Sequence, residues 1–141
     1  MNQRQRAALA NRYQSDGMSG SSPQKLLLAV FDRLQRDLAT AVEAIEGNRI
    51  EAAHRALLNC QDLVHELNLA LAPEVWPAAA ELRSVYEHLI TLLVDANLSK
   101  SVETVGRCQA IVTPLAQSWA EAHRSLQEQP GATAGVGGGR R

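Results

Sequence analysis

The side chains able to carry metal, redox or nucleophilic chemistry are few: His54, His65, His88, His123, Cys60, Cys108 and scattered serines. A metal centre in a helix bundle takes carboxylates together with Glu-x-x-His motifs from two facing helices. No such pair of motifs occurs, nor any His-x-x-x-His, and the four histidines fall off the apolar stripes traced below. They read as solvated surface residues. Both cysteines fall on stripes, where a thiol serves as a small buried hydrophobe. No Gly-x-Ser-x-Gly surrounds a serine, and the glycines near the C-terminus follow no strand and open no helix. Histidine phosphotransfer stays open as an alternative, since four-helix domains perform it. It asks for an exposed mid-helix His with Lys and Gly shortly after, and behind His54 stand Leu57 and Leu58 instead. The expectation is no catalytic residue, no metal and no cofactor.

The elements that would position these residues are helices. Ala and Leu supply 41 residues against five Thr and four Ile, a composition that favours helix over sheet. Ser22-Pro23 reads as an N-cap followed by proline at the first helical position. It opens a first helix over 23–46, closed by Gly47 as a left-handed C-cap. Asn48, with Glu51 at the reciprocal position, caps a second helix over 49–72 that Pro73 stops. A turn through Pro77 leads to a third helix over 77–97, and Ser99 or Ser101 caps a fourth over 101–127. Residues 1–22 form an N-terminal arm and a Ser/Gly linker, while 129–141 is a Gly-rich tail too poor in apolar residues to order itself.

Each helix carries an apolar stripe with alternating steps of three and four, the spacing that holds one face toward partner helices. The first offers Leu27, Phe31, Leu34, Leu38, Ala41 and Ile45; the second Ile50, Ala53, Leu57, Cys60, Val64, Leu67 and Leu71. The third offers Val75, Ala78, Leu82, Val85, Leu89, Leu92 and Ala96; the fourth Val105, Cys108, Val112, Leu115, Trp119, Ala122 and Leu126. Helices of ~33–42 Å with short connections predict an all-α, antiparallel up-down four-helix bundle. In that topology Cys60 and Cys108 lie on diagonal helices with a height offset of ~8 Å, too far for a disulfide. Pro114 interrupts the fourth helix and removes one backbone hydrogen bond, which reads as a local defect.

More apolar residues are present than the stripes need. Ala56, Leu63 and Ala70 add a row to the second helix, and Ala79, Tyr86 and Leu93 add one to the third. Leu58, Leu69, Ile90 and Val94 then point away from the predicted core. A contiguous apolar patch of this kind suits an amphipathic partner helix. From helical position alone, the expected contacts are Leu63, Leu67, Ala70, Leu71, Tyr86, Leu89, Ile90 and Leu93.

Charge and hydropathy narrow the classes further. The formal net charge is −1, and without Arg140 and Arg141 the trunk is more acidic, a poor match for nucleic acid. No apolar run approaches the roughly 20 residues of a membrane span. The start, Met-Asn-Gln-Arg-Gln-Arg, lacks the apolar region of a secretory signal, so a cytoplasmic location is expected.

The punctuation of the chain resembles the flagellar secretion chaperone family. The resemblance covers residues 9–123 and rests on Tyr13-Gln14, Ser22-Pro23 with the apolar helix after it, and the Ala56–Leu67 segment ending in Glu66-Leu67. Leu82 with Tyr86, the Ala96-Asn97-Leu98 run and the late Trp119 complete it. The family usually has tyrosine where Phe31 stands. The resemblance implies a four-helix bundle with a short N-terminal helical cap segment, in which Tyr13 is an arm or gate residue. It also implies binding to the C-terminal region of flagellin, so that flagellin neither polymerises early nor loses competence for type III export. Components of the export apparatus follow as further partners. Self-association of a purely structural bundle is the remaining alternative.

Overall fold

A computed structural model describes residues 23–71 and 79–128 of the chain, without the side chains of residues 126 and 128. Tyr13, the arm, the tail, Val75 and Ala78 lie outside the described residues. Four helices follow in order: α1 Pro23–Glu46, α2 Ile50–Leu69, α3 Ala79–Ser99 and α4 Val102–Glu128. Each packs on its neighbours in sequence, and α4 returns to α1, closing a ring of four. Among the described residues there is no strand. The all-α four-helix bundle expected from the stripes is the observed fold.

The core is the inner face of that ring. Phe31, Leu34 and Leu38 of α1, Leu57, Cys60 and Val64 of α2, Tyr86, Leu89 and Leu93 of α3, and Val105, Cys108 and Val112 of α4 are all buried. Each fully buried large side chain contributes about 1.5–3 kcal/mol relative to exposure. Outside, α1 carries two i,i+4 ion pairs, Arg33–Asp37 and Arg36–Asp32, both at 3.2 Å. Partial burial raises the Asp37 carboxyl above the usual aspartate value despite its Arg33 partner.

The turns depart from the expected caps in instructive ways. Asn48, not Gly47, takes the left-handed conformation between α1 and α2, at φ 59°. Asparagine tolerates that region, and this removes it from the N-cap role; Arg49 stands there instead, with no side-chain cap hydrogen bond. Arg49 closes α1 from outside: its N–H donates to the Ala44 carbonyl at 2.7 Å and its guanidinium to the Glu43 carbonyl at 3.4 Å. At the other sharp turn Lys100 is left-handed, at φ 53°. Ser101 caps α4 as expected, its Oγ accepting the Thr104 N–H at 3.1 Å.

Two helix ends shift. The second helix stops at Leu69 rather than residue 72, because the Leu71 N–H turns back to the Asn68 carbonyl three residues away and tightens the last turn. The third runs on to Ser99, past the expected 97. Two stripe positions fail as core: Ile50 is 47% exposed and Ala122 is exposed. Both sit near ends of the ring, Ile50 at the first residue of α2 and Ala122 level with the starts of α1 and α3. Pro114 is exposed, and α4 continues through it.

Candidate partner-binding surface

The register between α2 and α3 is marked by a polar contact. His54 Nδ1 lies 3.2 Å from Asn97 Oδ1, and the Lys100 ammonium donates to the same oxygen at 2.9 Å and to the Asn97 carbonyl. Asn97 itself is buried, which makes these bonds its means of satisfaction. Counting away from this contact places the apolar residues. Leu58 is one turn beyond His54, Val94 nearly one turn before Asn97, and Ile90 two turns before it. All three therefore flank the α2–α3 groove. Leu58 is 39% and Val94 40% exposed, while Ile90 is half-buried against the core. Leu98, one residue past Asn97, is 83% exposed at the end of the same groove.

Leu58, Ile90 and Val94 form an apolar line along the α2–α3 groove, and Leu98 continues it onto the exposed side of the end of α3. The line arises because α3 has more apolar positions than its inward face holds. Its buried face takes Tyr86, Leu89, Leu93 and Ala96, and Ile90 and Val94 follow at helical spacing on the flank toward α2, with Leu98 turned further out to solvent.

The residues expected to contact a partner divide under this geometry. Leu67, Tyr86, Leu89 and Leu93 are buried within the ring. They are core rather than surface, because the extra rows on α2 and α3 fill the space between four helices. Leu63, Leu71 and Ile90 are half-buried at its edge, and Ala70 is exposed. Leu63 and Ile90 do not share a groove: nine residues, or two and a half turns, separate Leu63 from His54, so it faces the α1 side of α2. Tyr13 lies outside the described residues. Leu98 is the surface residue missed by the sequence reading; its signal was an apolar residue one turn after Val94 beside a helix end.

Among the described residues no metal or redox cluster gathers. Glu51 precedes His54 by three residues, a single Glu-x-x-His, yet no group of three or more potential metal ligands forms among the described residues. Cys60 and Cys108 are free and buried. Burial, followed by the Asp37 charge, raises the Cys60 thiol far above its ordinary value, and burial pushes Cys108 up to about 11. Both are protonated and inert near neutrality. No described helix is long and apolar enough to cross a membrane.

Comparison with known proteins places the chain in a family. The family model described as flagellar protein FliS matches residues 5–126. The flagellar secretion chaperone FliS of Bacillus subtilis (strain 168) is 23% identical over 124 residues, covering 88% of this chain and 92% of that protein. A match over residues 5–126, with a bundle of the expected helix order, establishes the relationship: the chain belongs to the flagellar protein FliS family.

Proposed function

We propose that the chain is a cytoplasmic export chaperone that binds the C-terminal region of flagellin. It thereby prevents premature polymerisation and keeps flagellin competent for type III secretion. Family membership supports the flagellar role. The observation that carries the binding mode is the apolar line Leu58, Ile90 and Val94 between α2 and α3, with the exposed Leu98 beyond its end. Segments that order only on assembly expose apolar faces beforehand. A groove with an apolar floor and exposed Leu and Val at its lips covers such a face as a helix laid lengthwise. The ordering cost keeps the complex releasable for hand-over to the export apparatus.

Calorimetric titration of the full chain with a flagellin C-terminal segment tests this reading. Val94→Asp and Leu58→Asp are expected to weaken binding by roughly five- to a hundredfold, given about 1–3 kcal/mol for lost apolar contact. Unchanged affinity in both variants removes the groove from the binding site. No binding by the parent chain, with a concentration-dependent mass in its place, supports the self-associating bundle.

A further inference from the structure

The sequence offers His54 without the neighbouring lysine that histidine phosphotransfer asks for, and the fold supplies one from another helix end. Lys100 reaches the same Asn97 oxygen that faces His54. An ammonium has donors only, so the Asn97 atom bonded to it is the carbonyl oxygen and the amide orientation is decided. An acceptor oxygen facing His54 Nδ1 requires that nitrogen to carry the proton. The neutral imidazole is therefore held as the Nδ1–H form, with the Nε2 lone pair bare. His54 is an exposed residue, and its only hydrogen bond among the described residues is the one at Nδ1. A ring oriented by a hydrogen bond at one nitrogen, and free at the other, is how proteins prepare histidine as a ligand or nucleophile. With no third ligand gathered among the described residues, the nucleophile reading is favoured over the metal one. The adjacent Lys100 ammonium selects an electrophile that brings negative charge.

We infer that His54 Nε2 is a phosphoryl-acceptor site, oriented by Asn97 and electrostatically assisted by Lys100. The donor class is an acyl phosphate. The Nε2 lone pair forms a bond to phosphorus, the bond from phosphorus to the acyl oxygen breaks, and the carboxylate leaves with its electron pair. Nε2 has no proton to lose, and Nδ1–H stays on Asn97. Lys100 stays on Asn97, on the Nδ1 side of the ring, and acts on the phosphoryl group as a nearby positive charge rather than as a hydrogen-bond donor. Glu51, one turn before His54 on the same exposed face, opposes the anion and is the reason the lysine matters. The product places negative charge one turn from Leu58. Its effect on partner binding rests on the groove assignment above, whereas the labelling does not.

The test incubates the full chain with acetyl phosphate alone and follows 31P NMR and peptide mapping under alkaline conditions. His65 and His88, also exposed but lacking the Asn–Lys arrangement, serve as internal controls. The expected result is an acid-labile phosphoryl group on Nε2 of His54, formed faster than on either control and absent in His54→Asn. In Lys100→Gln the rate falls roughly threefold to tenfold, the scale of one unit charge lost at about 6 Å near a protein surface. Labelling of the three histidines at equal rates, or of none, overturns the inference. Nitrogen-15 NMR of the unlabelled chain checks the premise separately: an Nε2–H tautomer at His54 also overturns it.

Discussion

His54 and Asn97, on different helices and 43 residues apart in sequence, meet at 3.2 Å across the α2–α3 groove. The contact sets which residues of the two helices stand opposite one another. It thus decides that Leu58, Ile90 and Val94 share a groove, while Leu63 faces the other way. A buried asparagine is otherwise a liability in a helix core, since an unsatisfied amide costs about 1–3 kcal/mol. Here its carbonyl oxygen holds two helix ends and one turn together.

Removing that oxygen has a measurable cost. Asn97→Ala leaves His54 and Lys100 without their common acceptor and opens a small void. The expected loss is about 1–3 kcal/mol, read as a lower urea midpoint with an unchanged slope. A midpoint equal to the parent's means the contact does not contribute in solution.

Groove and core respond differently to substitution. Leu58→Asp and Val94→Asp, at half-exposed positions, change unfolding free energy by about 0.5 kcal/mol or less. Leu89→Ala, at a site 1% exposed, costs about 2–5 kcal/mol. Thermal unfolding of the three variants separates them, and comparable losses in all three contradict the division into lip and core.

Two residues in α4 work against the helix they occupy. Gly106 has nothing within 4 Å of where a Cβ would stand, so Gly106→Ala gains about 0.5–1 kcal/mol. Pro114 withholds a hydrogen bond from the Ala110 carbonyl on the exposed side. Pro114→Ala restores it and raises the unfolding free energy by up to about 3 kcal/mol, read as a higher melting temperature. A melting temperature lowered by either change shows a packing role for the original residue.

The two buried thiols predict alkaline sensitivity. In the fold both titrate above their ordinary value, Cys108 near about 11. Below the unfolded value, near 8.5, each thiol is protonated in both states and costs nothing. Above it the unfolded chain releases protons that the native chain retains. Stability then falls as pH rises, by about 1.4 kcal/mol per unit for each thiol, until the native thiol titrates too. Denaturation midpoints between pH 8 and 11 should show this decline, and Cys60→Ala with Cys108→Ala should flatten it. An equally steep decline in that double variant assigns the effect elsewhere.

Much of the architecture was legible without coordinates. The run to Glu46 before Gly47 marked the end of α1, and Ser101 was a correct cap for α4. Spacing of three and four placed Phe31, Leu57, Leu89 and Val105 inward, and the same bookkeeping left Leu58, Leu69 and Val94 outside, where they are. Turn detail was harder. Gly47 and Asn48 both accept the left-handed region, and nothing local says that Asn48 takes it while Arg49 folds back over α1.

The sequence by itself determined the helices and their inward faces, because the 3.6-residue period is a property of one chain segment. The identity of the neighbour along each flank was decided only by tertiary structure. Leu63 and Ile90 look equivalent on their own helices, yet the first edges the α1 side and the second the α2–α3 groove. Tyr86, Leu89 and Leu93 look available for a partner until four helices close around them. His54 lacked a lysine in its own helix and acquired Lys100 from a turn in another. Interhelical register depends on packing and polar contacts between distant residues, and no periodicity within a single helix records it.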